Sequence, residues 1–270
     1  MNYQIIQPTG HLADYVRYFW ILDSDQPYVH RSMADGCAEM IFHYQGTFDE
    51  LTENEKVPTS LSAIRGPSST YQVFKTHSHF GIFGIYLYPF ALPCLLSVPS
   101  AELSNERPDL QTLLGPAGKE LEEKMVSATN NTDRLQIATS FLESRLSKVV
   151  HPEAAVFHAV QNILQSRGSV NIEELAEQCF VSRRQFERKF RYFAGFSPKA
   201  YARIIRFQTA ADEYGKRDKS LAQIALECGY YDQSHFANDF KKFSGYCPGT
   251  YFYGDATGVE WRDAISEPRV

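Results

Sequence analysis

Residues 193–201 read FAGFSPKAY and residues 243–251 read FSGYCPGTY. Phe, Gly, Pro and Tyr return at the same offsets, as Phe193/Phe243, Gly195/Gly245, Pro198/Pro248 and Tyr201/Tyr251, and upstream Phe186 and Phe190 are matched by Phe236 and Phe240. A phrase written twice at a fixed spacing requires one supersecondary unit used twice. Any fold assigned to this chain has to accommodate that repeat.

Capping chemistry parses each copy into helices. Asn171 followed by Glu174 opens a helix through IEELAEQCF, and Ser182 followed by Gln185 is a capping box that opens RRQFERKFRYFA. Gly195 can take the positive φ that ends the helix, and Ser197-Pro198 starts the next with Ser as N-cap and Pro at N1. In the second copy Ser220 with Gln223 opens LAQIALEC, Gly229 ends it, and Asp232 caps QSHFANDFKKFS. Cys247 stands where the first copy has Ser197, so the cap there is expected to be weaker. Two short helices joined by a tight turn, the second freshly capped, make a helix-turn-helix. Ala176 and Ala225 fall where the two helices approach each other, and the phenylalanines form the core face of each second helix.

The opposite faces are polar. In the first unit Arg184, Glu187, Arg188 and Arg191 share a stripe at i, i+3, i+4 and i+7, with Arg183 beside it. In the second the face holds Gln233, Ser234, Ala237, Asn238 and Lys241, with His235 and Lys242 alongside. Arg bonds guanine bidentately, Gln and Asn bond adenine, and Lys suits phosphate, so these faces predict contact with double-stranded DNA. Residues 198–214 read as one helix of roughly 25 Å, ended by Gly215, a length that would set two recognition helices about one DNA turn apart.

Charge is distributed to match. Residues 1–150 carry 11 Lys/Arg against 17 Asp/Glu, while residues 168–253 carry 13 against 10. The net −5 of the whole chain therefore conceals a basic C-terminal stretch that can approach a phosphate backbone. With 43% hydrophobic and 22% charged residues the composition is that of a soluble, cytoplasmic protein, and the N-terminus lacks the basic n-region of a signal peptide. The uncharged run at 81–98 is divided by Pro89 and Pro93, which predicts a buried strand through Tyr88 and then a short helical piece rather than a membrane span. Five scattered cysteines show no zinc spacing and read as reduced thiols.

The first 116 residues are expected to be β-rich, with strands at 39–46, 71–77 and 83–88; residues 11–22 fit either a helix or a strand. Residues 117–150 read as a helical connector. Its stripe of Leu135, Ala138, Leu142, Leu146 and Val149 serves either packing on its own domain or dimerisation. The predicted class is thus α+β with two domains: a β-rich barrel or sandwich at 1–116, the connector, an all-α double helix-turn-helix at 151–253 (units 171–195 and 220–245), and an acidic tail at 254–270.

At the residues LAEQCFVSRRQFERKFRYFAGFSPKAYARIIRFQTA and LAQIALECGYYDQSHFANDFKKFSGYCPGTY the chain resembles the C-terminal domain of AraC/XylS-type transcriptional regulators, over about 156–251. The resemblance implies that the two recognition helices enter adjacent major grooves. Carried over by position, it implies base reading by Arg184, Glu187 and Arg188, then by Gln233, Ser234 and Asn238, with Arg183, Arg191, His235, Lys241 and Lys242 on the backbone or flanks. Many members carry Arg where this chain has Asn238, followed by Asp239, which weakens the guanine contact expected there. Glu187 is open to three roles: reading cytosine, excluding bases, or pairing with Arg183 or Arg191. The resemblance further implies an N-terminal sensor, often cupin-like, for an unidentified small-molecule effector, a homodimer, and RNA polymerase as a partner.

Catalytic motifs are few. His77-Ser78-His79 could supply two imidazoles from one face of a strand, with Glu39 or His43 approaching from elsewhere, and a metal-dependent cupin-type enzyme is the alternative reading; no carboxylate follows at the spacing such a site needs. Asp35-Gly36-Cys37 reads as a turn, since no basic neighbour in the local sequence activates the thiol. No GxGxxG, Walker A, GxSxG or HExxH pattern occurs, so no cofactor, no metal and no enzymatic activity are expected.

Overall fold

Strand Phe80–Leu87 is buried along its whole length, the signature of a strand covered on both faces. The computed structural model describes residues 1–52, 55–146, 154–214, 219–254 and 256–259. In it the N-terminal half is two antiparallel sheets. The first, in spatial order, is β1 (Asn2–Ile6), β2 (Val16–Ser24), β9 (Phe80–Leu87), β4 (Ala38–Gln45) and β7 (Ser62–Arg65). The second is β3 (Tyr28–Ser32), β8 (Gln72–Thr76), β5 (Asp49–Leu51) and β6 (Lys56–Pro58). Leu22 of β2, Phe74 of β8, and Phe80 and Ile82 of β9 form one apolar cluster between the sheets. The ambiguous segment at 11–22 resolves into a 3₁₀ turn, Gly10–Asp14, followed by β2. The uncharged run becomes β9 and then a π-helical turn, Leu92–Leu96, as its prolines predict.

Helices α1 (Leu110–Leu114), α2 (Pro116–Ser127) and α3 (Asn131–Leu146) follow. Ala138 and Leu142 of the α3 stripe are fully buried in the main core, so these two positions are spent on packing within the chain; Val149 lies outside the described residues. Arg134 lies over the Tyr44 ring at 3.8 Å and ties α3 to β4.

The C-terminal half is all helix: α4 (Ala154–Gln165), α5 (Ile172–Gln178), α6 (Arg183–Ala194), α7 (Pro198–Ala211), α8 (Leu221–Glu227), α9 (Gln233–Ser244) and α10 (Pro248–Tyr253). Both capping boxes form, at Ser182/Gln185 and Ser220/Gln223, and Asp232 accepts from the His235 amide. Asn171 accepts from the Glu173 amide, one position earlier than a capping box, while its Nδ2 donates to Glu174. Cys247 makes no side-chain cap, whereas Ser197 caps α7. Gly195 and Gly245 end α6 and α9 at φ +85° and +78°, a region closed to most side chains, which accounts for glycine at both copies of the phrase. Gly215, expected to end the linker helix, lies outside the described residues.

One reading is corrected. His77 and His79 lie exposed in the turn between β8 and β9, so strand alternation does not put them on one face. Of their expected partners, Glu39 is committed to Arg65 at 3.0 Å and His43 packs on Phe48. The acidic tail is packed at its start: Val259 is fully buried, and the Arg31 amide donates to the Gly258 carbonyl at 2.6 Å. The remainder, from 260 on, lies outside the described residues.

Candidate functional site

Each second helix of the repeat is amphipathic because its phenylalanines recur every third or fourth residue. Phe186 and Phe190 of α6, and Phe236, Phe240 and Phe243 of α9, are buried, while Ala176 and Ala225 let α5 and α8 approach. That orientation fixes what the other faces present. Arg184, Arg188 and Arg191 are exposed on α6, and Gln233, Ser234, Asn238 and Lys241 are exposed on α9. None of these seven side chains has a partner among the described residues. A charged or amide side chain left unengaged along one face is available to a ligand of complementary pattern.

The other expected contacts are partly spoken for. Glu187 accepts from Arg183 Nε at 3.2 Å, and Arg183 Nη1 reaches Glu173 of α5 at 3.1 Å. Of the three roles open to Glu187, the structure shows pairing with Arg183. His235 packs edge-on against Tyr230 and stands 3.7 Å from the Asp239 carboxylate, which turns it towards the domain rather than outward. Lys242 lies over the Phe243 ring. Asp239 is 3% exposed and accepts both Arg203 nitrogens, so it belongs to the core and adds no negative charge to the outer face beside Asn238.

The turns differ between units. Phe180 holds φ +53° where the second unit has Gly229 at φ +76°, and its side chain is 96% exposed. Tyr231, in the second turn, is 92% exposed.

The β-rich half grips both units at the ends of α6 and α9. The Ser100 amide donates to the Tyr192 carbonyl at 2.9 Å, and Ser104 Oγ to the Gly195 carbonyl at 2.8 Å. On the second unit the Ala34 amide donates to the Phe243 carbonyl at 2.9 Å, and Arg31 Nη1 reaches the Ser244 carbonyl at 3.5 Å, its guanidinium held between Tyr71 and Tyr246. Between these grips lies α7. Gln208 Nε2 donates to Asp35 Oδ1 at 3.0 Å, and Asp35 also accepts from Tyr86 Oη and the Cys37 amide. Gly36 lets α7 come close here: a Cβ would fall 2.8 Å from the Ile205 Cδ1 and from the Tyr201 ring, so one of them would have to shift. The repeated phrase is therefore also where the second half of the chain docks on the first.

Cys37 does have a basic neighbour, supplied from β2: Arg17 Nη1 lies 3.6 Å from its Sγ. Burial outweighs that cation and pushes the thiol up to about 11, so it stays protonated at neutral pH.

A cavity of about 810 Å³, within the range of small-molecule sites, runs from between the two sheets to α4, α7 and α10. Alternate residues of β4 (Glu39, Ile41, His43) line one wall, with Trp20 of β2, His30 of β3 and Phe74 of β8 around them. Burial, with Arg65 near His30 and Arg107 near His43, lowers both imidazoles to about 4 and keeps them neutral. Of these residues the sequence points only to Glu39 and His43, and there as metal partners; the others carry no motif, since the wall is assembled from several separate strands. No group of three or more metal-ligating side chains occurs among the described residues, and no helix among them is long and apolar enough to cross a membrane.

Comparison with known proteins defines the class. Residues 175–253 match a helix-turn-helix domain family, and residues 4–109 match a domain of unknown function (DUF6597). An uncharacterized HTH-type transcriptional regulator of Haemophilus influenzae is 36% identical over 87 residues, covering 32% of this chain and 29% of its own. The HTH-type transcriptional regulator ArgR of Pseudomonas aeruginosa is 30% identical over 138 residues, covering 50% and 39%. The chain thus spans less than half the length of these relatives. ToxT of Vibrio cholerae aligns over 94% of this chain and 98% of its own at 12% identity and a TM-score of 0.46, a likeness too loose to bear on function. The C-terminal part of the chain is an AraC/XylS-type double helix-turn-helix domain, joined to a two-sheet N-terminal domain.

Proposed function

We propose that the protein is a sequence-specific DNA-binding transcription regulator whose β-rich half binds a small molecule and controls how the two helix-turn-helix units are presented. One observation carries the reading: α6 and α9 each expose an unengaged polar face while their far ends are hydrogen-bonded to the β-rich half. Arg184 and Arg188 read bases from the first unit, and Gln233, Ser234 and Asn238 from the second. Arg191 and Lys241 neutralise phosphates, with Lys242 beside them. Glu187 orients Arg183 rather than meeting a base, which its ion pair supports. Residues 1–116 act as the sensor, 117–150 as a connector and 151–253 as the reader. A cytoplasmic homodimer on a repeated operator, in contact with RNA polymerase, completes the proposal.

The test is selection of bound DNA from a random pool by the full chain, with Arg184→Ala/Arg188→Ala alongside and affinity followed against salt. Two short motifs about one helical turn apart (~34 Å), one of them degraded in the variant, is the expected result. Weak binding without a motif, unchanged in the variant, would overturn the reading.

A further inference from the structure

The cavity wall carries a specific imbalance. Among the described residues ten buried side-chain nitrogen or oxygen atoms lack a hydrogen-bond partner, and five of them belong to residues lining the part of this cavity between the sheets: Trp20, His30, His43, Arg65 and Arg107. Three of the five, the indole Nε1 and the two arginine Nε, can only donate. A buried donor without an acceptor is costly, so a concentration of them marks a place where something else supplies acceptors.

Charge in the chamber between the sheets is already balanced. Arg65 is paired with Glu39 at 3.0 Å, and Arg107 with Glu50 at 2.7 Å. His30 and His43 are neutral near pH 7. Arg31 faces the other way, towards Tyr71, Tyr246 and the Ser244 carbonyl, and Arg17 and Asp35 both abut Tyr86 at the end next to α7. An ionised ligand brought between these ion pairs would lose hydration and meet no unpaired counter-charge there, which is disfavoured. The rest of the wall, Ile41, Phe48, Phe74 and Ile82, is apolar and in part aromatic.

We propose that this cavity takes an uncharged compound with a flat apolar body and carbonyl or ether oxygens that accept from Trp20 and the imidazoles, and that it discriminates against carboxylates and amines of the same shape. The proposal deepens the reading of the β-rich half as a sensor and rests on it for its consequence at DNA.

Three probes of one shape test it on the full chain by calorimetry at pH 7.5: 2-acetylnaphthalene, 2-naphthoate and 2-naphthylmethylamine, with naphthalene as the acceptor-free reference. The ketone is expected to bind at least ~10-fold more tightly than either ion, and about 3- to 10-fold more tightly than naphthalene. Trp20→Phe should shrink the ketone-to-naphthalene ratio, a readout that a general loss of stability would not move. Naphthoate binding as tightly as the ketone, an unchanged ratio in Trp20→Phe, or no binding of any probe would overturn the proposal. If the ketone binds as expected but leaves DNA affinity unchanged, the ligand class stands and the sensor reading falls.

Discussion

Ser104 Oγ donates to the Gly195 carbonyl across 2.8 Å, so a loop of the β-rich half holds α6 at the residue where it ends. The same hydroxyl reaches the Ser100 carbonyl, and the Ser100 amide bonds Tyr192, which makes a small bracket around the last turn. Ser104→Ala should cost about 1 kcal/mol in stability, the worth of one such bond. Amide hydrogen exchange at 192–196 should quicken more than in the core strands; an unchanged exchange pattern would mean the bracket bears no strain.

On the DNA side, Arg184→Ala and Arg188→Ala should each weaken specific binding by about 1–3 kcal/mol and relax preference at one base position. Lys241→Ala should instead weaken all sequences evenly and lower the salt slope by about 1. Glu187→Gln should leave the preferred motif intact, because its carboxylate is turned to Arg183. A changed motif in Glu187→Gln would show that it reads a base after all.

Phe180 pairs an unfavourable backbone with an unfavourable surface, at φ +53° and 96% exposure. Glycine stands at the matching turn of the second unit, at Gly229. Phe180→Gly should therefore stabilise the protein by about 1 kcal/mol, the relief of a left-handed residue outweighing the added freedom of the unfolded chain. A lower melting temperature would show that the ring has a partner worth its exposure.

Acid should act through the cavity wall. His30 and His43 have native values of about 4 against the ordinary 6.5, so between those pH values the unfolded chain binds more protons than the folded one. Stability is complete above about pH 7, falls as pH drops through 6.5, and stops falling from this source near 4. On the order of 2–3 kcal/mol is lost per histidine over that window. Melting curves at pH 7.5 and 5.0 check this, and His43→Gln should flatten the dependence.

Asp239 and Arg203 form the polar core of the second unit. Asp239→Ala leaves Arg203, whose side chain is 38% exposed, to solvent over Phe243 and should cost about 1–2 kcal/mol while leaving the selected DNA motif unchanged.

What could be read from the chain beforehand was local. The serine capping boxes at 182 and 220, the positive-φ glycines at 195, 229 and 245, and the buried phenylalanines depend on residues within four positions of each other, and these form. Strand Phe80–Leu87 was legible for the same reason, as a short apolar run closed by Pro89. Pairings made at long range were not legible. His77 and His79 look like two neighbours on a strand until β8 ends at Thr76 and leaves them in a turn. Asp239 looks like a blemish beside Asn238 until Arg203, thirty-six residues away, accounts for it. Arg31 and Gln208 carry no motif and Asp35 reads only as part of a turn, and their importance lies in which surfaces meet.

One apolar cluster runs without a break from Leu12 in the first turn through Phe186 and Phe190 to Tyr201 and Ile205. The β-rich half and the first helix-turn-helix unit thus share one apolar core, while the second unit keeps its own, which Ala34 of the β-rich half joins. Cutting the chain between the two halves would uncover the side of α7 where Tyr201 and Ile205 meet Gly36. A graft of another chain's sensor onto these helices would have to bring its own equivalents of Gly36 and Ser104, or the hybrid would fold as two ill-fitting halves.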